Sequence, residues 1–175
     1  AAMIRLTQTL GATTTVVAAL ALAGCAKPPV ISPPKPEPIP TVIQLDITAN
    51  AAVNADRHGR AMPIVVRFYL LQTTAAFDNA DFFSLFERDD AVLGAAKVVR
   101  EEITLIPNQA FSTELHPQGP SQFLAVFAAY REVNTVRWRA TAPIPQNTTT
   151  AYSVQIGQSG IAIAPQLPRQ RGVGQ

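Results

Sequence analysis

Between residues 28 and 40, seven of thirteen positions are proline: Pro28, Pro29, Pro33, Pro34, Pro36, Pro38 and Pro40. Proline fixes φ and lacks an amide hydrogen, so this stretch can join neither a sheet ladder nor a helix interior and is expected to run extended as polyproline II. A globular fold is therefore expected only after residue 40. At about 3.1 Å per residue, residues 26–40 reach on the order of 45 Å, a semi-rigid stalk. A proline-rich recognition ligand is the competing reading of the same composition.

The residues ahead of the prolines are apolar. With Ala1 and Ala2 set aside, Met3, one positive charge at Arg5 and an apolar run from Leu10 to Leu22 make up a secretory signal. The uninterrupted part, Val16 to Ala23, is only eight residues long, far short of the roughly 20 that a membrane-spanning helix needs. It ends in Leu22-Ala23-Gly24-Cys25, which resembles the bacterial lipobox, where small residues precede a cysteine that becomes lipidated and N-terminal. That resemblance implies a lipoprotein signal peptide over residues 1–24, lipid attachment at Cys25 and a tether over residues 25–40. Two or more acyl chains hold a protein on a bilayer where one is marginal, at about 0.8 kcal/mol per buried methylene. Ala26 rather than aspartate follows the cysteine, which by the same resemblance implies sorting to the outer membrane. The bland alternative is a stray or buried thiol, but no fold can form around a cysteine set between an apolar run and a proline run.

Removing the first 24 of 175 residues leaves 151, room for one ordinary domain and its tether. Arg5 is the only charge lost with them, so the formal net charge falls from +2 to +1. Basic and acidic residues are mixed along the chain without a basic stripe, which argues against nucleic acid as a partner. With Cys25 the single cysteine, no intrachain disulfide can form and stability must come from the core.

From Thr41 the pattern has a period of two. Ile43, Leu45 and Ile47 face one way and Gln44, Asp46 and Thr48 the other, the signature of a half-buried strand. Residues 64–71 repeat it, with Val66, Phe68 and Leu70 opposite Arg67. Residues 122–131 are apolar on both faces, as a covered central strand requires. Further alternations centre on Ile103 and Leu105, on residues 111–116, on Val136, Trp138 and Ala140, on Tyr152, Val154 and Ile156, and on residues 160–164. Residues 78–94 interrupt the rhythm. There Asp81 is expected to cap a short helix carrying Phe82, Leu85 and Phe86, and Asp89 or Asp90 to cap a second turn ending at Gly94. Seven or eight short strands with one helical insertion predict a mainly β fold, a two-sheet antiparallel β-sandwich over residues 41–164, with a frayed tail over residues 165–175.

Chemistry-bearing patterns are sparse. His58 and His116 are the only histidines, and neither has a second ligand at metal-site spacing. Glu101 and Glu102 are adjacent on a strand and so point to opposite faces. No G-x-S-x-G, P-loop or dinucleotide fingerprint occurs. No cofactor or metal is expected. The aromatic run from Phe82 to Phe86 is read as core packing before a ligand box. One stretch stands out by length instead: residues 50–62 are polar, lack apolar rhythm, and are far longer than the two to five residues of an ordinary hairpin loop. Such a connection is a working surface or is disordered. Asp56, Arg57 and Arg60 offer charge-assisted contacts there.

Taken in order, these motifs resemble the TssJ family, outer-membrane lipoproteins of the type VI secretion membrane complex. The resemblance rests on Cys25, the loop Asn54-Ala55-Asp56-Arg57-His58-Gly59-Arg60 leading into Pro63 and the strand after it, Asp81-Phe82-Phe83-Ser84-Leu85-Phe86, Arg100-Glu101-Glu102-Ile103, and Trp138-Arg139-Ala140. It implies a transthyretin-like sandwich without catalytic activity on the periplasmic face of the outer membrane. It also implies a TssM-like inner-membrane partner, whose periplasmic C-terminal region is bound by the loop carrying Asn54 to Arg60. A periplasmic small-ligand-binding sandwich is the alternative function, and a lipid-anchored hydrolase is a weaker third.

Overall fold

The computed structural model describes residue 37 and residues 39–170. The expected signal peptide, Cys25 and nearly all of the expected tether lie outside the described residues, as do the last five. Eight strands and two helices follow one another: β1 (Val42–Ala49), β2 (Ile64–Leu71), α1 (Ala75–Asn79), α2 (Phe82–Leu93), β3 (Lys97–Leu105), β4 (Ala110–Leu115), β5 (Phe123–Ala128), β6 (Arg139–Pro143), β7 (Thr149–Gly157) and β8 (Gly160–Gln166). They form two four-stranded sheets, β4-β1-β7-β8 and β3-β2-β5-β6. The mainly β sandwich read from the alternations is what the chain forms. Neighbouring strands are antiparallel except β1 and β7, which run parallel with Leu45 opposite Tyr152.

The sandwich has two cores because β5 is apolar on both faces and β2 is so apart from Arg67. Between the sheets, Ile43, Leu45 and Ile47 of β1 pack against Val66, Phe68 and Leu70 of β2 and Leu124 and Val126 of β5. On the outer face of the second sheet, Tyr69, Leu71, Ala125 and Phe127 meet Phe77, Phe82 and Leu85 of the helices. The helical insertion is therefore a third layer, and it covers the apolar side of β5 that a plain sandwich would leave in water. The rings interlock there: Phe82 lies 5.1 Å from Phe127 and 5.3 Å from Trp138, centroid to centroid. Offset and edge contacts of this kind add to plain area burial.

Polar groups fasten the layer down. Asp81 caps α2 by accepting from the Ser84 amide at 2.9 Å, as its sequence position predicts. The expected second cap is different. α2 continues to Leu93 through a kink at Arg88, whose φ and ψ are −140° and 39°. Arg67 of β2 donates to the carbonyls of Leu85 and Phe86, at 3.2 and 2.8 Å, just ahead of the kink, and a side chain inserted into the helix ladder is an established cause of kinking. Asp89 caps nothing. It is buried and accepts from the Tyr69 hydroxyl at 3.0 Å and Arg100 Nε at 2.8 Å. Burial alone would raise the Asp89 carboxyl, but those two donors more than offset it and hold it low. Arg139 donates to the carbonyls of Phe77 and Ala80, closing the end of α1, a short helix the periodicity does not announce.

The frayed tail expected from residue 165 does not begin there. β8 extends through Gln166, and Arg169 exchanges hydrogen bonds with the Gln44 side chain, its amide donating to Oε1 at 2.6 Å and its carbonyl accepting from Nε2 at 3.2 Å. The Arg169 guanidinium also reaches Asp46 at 2.5 Å. Two side chains of β1 that the alternation places in solvent are thus covered.

The sandwich has two ends. At one, residue 50 begins the long β1–β2 loop, and the β3–β4 turn joins it through Asn108, whose amide donates to the Asn50 carbonyl. At the other, Thr41 meets the β6–β7 loop through its hydroxyl and the Asn147 amide. Thr41, just ahead of β1, therefore lies at the end opposite the long loop. Strand β1 separates them by roughly 25 Å at about 3.3 Å per residue.

Candidate partner-binding loop

The loop of residues 50–62 is built on local hydrogen bonds. Asn50 Oδ1 accepts from the Ala52 amide, and Val53, fully buried, pins the loop into the inter-sheet core. Asn54 adopts φ of 51°, a left-handed conformation that asparagine tolerates better than most residues. Its side chain is buried, donating to the Pro63 carbonyl at 2.8 Å and accepting from the Arg131 amide at 2.9 Å. One amide group thereby joins both ends of this loop to the loop between β5 and β6.

The tip is organised by Asp56. Oδ1 accepts from the amides of His58 and Arg60 at 2.8 and 3.0 Å, and Oδ2 accepts from Arg60 Nε at 2.9 Å. The main chain closes the same turn, Asp56 N to the Arg60 carbonyl and Gly59 N to the Asp56 carbonyl, both at 2.9 Å. Gly59 makes the reversal at φ of 76°, where a side chain is strained. The Arg60 amide foremost, with the His58 amide and the Arg60 side chain, holds the Asp56 carboxyl below its ordinary range against partial burial.

The geometry sorts the seven residues singled out by sequence. Asn54 and Asp56 shape the loop from within. Arg57, His58, Gly59 and Arg60 are exposed at the tip, and Ala55 is half-buried between the two groups. Asp56 and Arg60 largely satisfy each other, so Arg57 is the charge left open to a partner.

A groove of about 570 Å³ runs beside this tip. One wall is Ala55, Asp56 and Arg57, and the others are Tyr130, Glu132 and Thr135 from the β5–β6 loop and Gln158 and Ser159 from the β7–β8 turn. Sequence reasoning missed these residues because they lie about 70 to 100 positions downstream, and only pairing of the sheets brings them alongside. Tyr130 supports the arrangement by donating to the Gly157 carbonyl at 2.8 Å. Among the described residues no group of three His, Asp or Glu side chains is placed to hold a metal ion.

The T6SS-SciN family, described as Type VI secretion lipoprotein, VasD, EvfM, TssJ, matches residues 41–159. The chain belongs to this TssJ family. No curated protein matches it by sequence. Among solved structures, the TssJ family fold recurs in the type VI secretion lipoprotein TssJ1 from Pseudomonas aeruginosa. That protein is 27% identical, with a TM-score of 0.72 over 74% of this chain and 99% of its own. Serratia marcescens Lip, a membrane-bound component of the type VI secretion system, is 25% identical, with a TM-score of 0.68 over 74% of this chain and 100% of its own. A chain in a structure titled for the TssM C-terminal domain from EAEC shares the fold at 21% identity and a TM-score of 0.60, over 72% of this chain and 99% of its own.

Proposed function

We propose that this chain is a non-catalytic adaptor that fixes a type VI secretion membrane complex to the outer membrane. Cys25 carries the lipid, residues 25–40 hold the domain off the bilayer, and the loop from Asn54 to Arg60 captures the periplasmic C-terminal region of a TssM-like inner-membrane protein. The observation that carries this reading is the polarity of the sandwich: Thr41, just ahead of β1, lies at one end, and the long β1–β2 loop stands ordered at the other. A partner reaching from the inner membrane meets the loop without passing the bilayer. Similarity to chains in structures of a type VI membrane complex and of the TssM C-terminal domain supports a partner of that kind. The aromatic interior is filled by its own rings, which leaves the small-ligand reading without a supporting observation.

The test uses the full chain extracted from membranes in detergent. Intact chain is expected to retain the cognate TssM-like periplasmic fragment, and chain lacking residues 56–60 to lose it while keeping its strand-rich circular dichroism. Equal retention by both would remove the loop from the interface. Mass spectrometry of the native product is expected to find a lipidated N-terminal Cys25, and a bare thiol behind an uncleaved leader would refute the anchor.

A further inference from the structure

Charge is unevenly distributed between the two ends. The described residues hold ten arginines and lysines against twelve aspartates and glutamates, an acidic balance. The loop end reverses it. Arg57, Arg60, Arg131 and Arg137 lie there with only Asp56 and Glu132, which leaves six cations against ten acids for the rest of the domain. Asp56 is already matched by Arg60 at 2.8 Å. Arg57, Arg131 and Arg137 are all exposed and form no salt bridge among the described residues. Arg57 thus lines the groove with one open carboxylate, Glu132, and Arg131, near enough to help hold the Asp56 carboxyl low, and Arg137 add two open guanidinium groups at the same end of the domain.

We propose that this groove receives an acidic, extended segment of the partner protein. The inference rests on the reading of the loop as the partner-binding surface and adds the chemistry of what is bound. Its volume, about 570 Å³, is that of a pocket for a few side chains rather than a whole interface. Thr135, Gln158 and Ser159 line it with uncharged hydrogen-bonding groups, and the planar guanidinium fork of Arg57 in the same lining suits a carboxylate. The groove is held in shape before binding, since Asn54 ties two of its walls together and Arg137 ties the third, its amide donating to the Ser159 carbonyl at 3.2 Å. Opposite potentials on two surfaces raise the association rate and reject wrong partners. The net acidic balance of the rest of the domain favours this end for such a segment.

The experiment measures binding of the cognate TssM-like periplasmic fragment to the purified chain at about 50 and about 300 mM NaCl, where screening differs strongly. Wild-type affinity is expected to fall about tenfold across that range, and Arg57→Glu and Arg131→Glu each to weaken low-salt binding about tenfold or more. Glu132→Lys is expected to tighten it several-fold. All three side chains are exposed, and a thermal melt of each variant checks that the fold is kept. Binding that ignores both salt and the reversals overturns this inference and leaves the proposed function standing. Failure of the wild-type chain to bind overturns both. If phosphatidylglycerol vesicles bind with the same variant pattern while the fragment does not, the basic end belongs to lipid and the proposal falls.

Discussion

Arg67 and Phe86 meet twice: the guanidinium donates to the Phe86 carbonyl at 2.8 Å and stands 5.2 Å from the centre of its ring. A cation in the middle of a strand thus holds the kinked helix above it, and its Nε is balanced by Glu102 at 2.6 Å. Removing the side chain leaves the Leu85 and Phe86 carbonyls without this donor and Glu102 with Arg100 alone. Arg67→Met is expected to cost about 1.5–3 kcal/mol in a urea melt, the range for hydrogen bonds to charged groups. Arg67→Lys should recover only part, since an ammonium cannot reproduce the fork. A neutral result for Arg67→Met would mean that the aromatic layer alone positions α2.

Two glycines with left-handed backbones make a matched pair. At Gly160, φ is 132° and an added Cβ would lie 2.5 Å from the Arg137 carbonyl oxygen, whereas at Gly59, φ is 76° with open space around it. Gly59→Ala should cost about 1 kcal/mol, the ordinary left-handed penalty. Gly160→Ala adds a backbone clash that no side-chain movement relieves, because Arg137 and the β7–β8 turn are hydrogen-bonded to each other. It is expected to cost clearly more, about 3 kcal/mol or above, read as a lower urea midpoint at unchanged slope.

How far these features could be read in advance depended on whether local spacing expressed them. Strand β5 was legible because Leu124 and Val126 alternate with Ala125 and Phe127, and both faces of a strand are apolar only when both are covered. The Asp81 cap was legible because its partner lies three residues on. Asp89 was not, since its donors Tyr69 and Arg100 are 20 and 11 residues away and a buried acceptor looks like a cap in sequence. The parallel pairing of β1 with β7 leaves no local mark either, nor does the docking of Arg169, one residue joined to Gln44 and Asp46 across more than 120 positions. Length alone exposed the 50–62 loop, but two of its groove's three walls come from elsewhere in the chain.

Acid should destabilise the domain in one window. Asp46, held low first by the Ser112 hydroxyl, and Glu102, held low first by Arg67, join Asp89 in having folded pKa values below their ordinary ones. A depressed carboxyl stabilises the fold fully above its unfolded value, near 4, and that contribution disappears as pH falls through the folded value. The melting temperature is therefore expected to stay level from about pH 8 to 5 and to fall below about pH 4. Asp46→Asn should reduce that acid slope and loosen the tail, read as faster amide exchange at Arg169. A slope that is the same in the variant would show that Asp46 is not among the groups responsible.

Within the loop, shape and contact can be separated by two variants. Asn54 is buried and bonded at both ends of its amide, so Asn54→Ala removes two hydrogen bonds and places alanine at a φ of 51°. A loss of about 2 kcal/mol in global stability is expected, and Asn54→Gly, which accepts that φ freely, should recover the backbone part only. Asp56 lies further out and holds the tip alone. Asp56→Ala is expected to leave the melting curve in place while the amides of His58 and Arg60, which lose their acceptor, exchange faster by hydrogen–deuterium measurement. Partner affinity should drop in both variants, in Asn54→Ala together with stability and in Asp56→Ala without it. If Asp56→Ala frees those amides yet binds as well as the wild type, the ordered tip is not what the partner recognises.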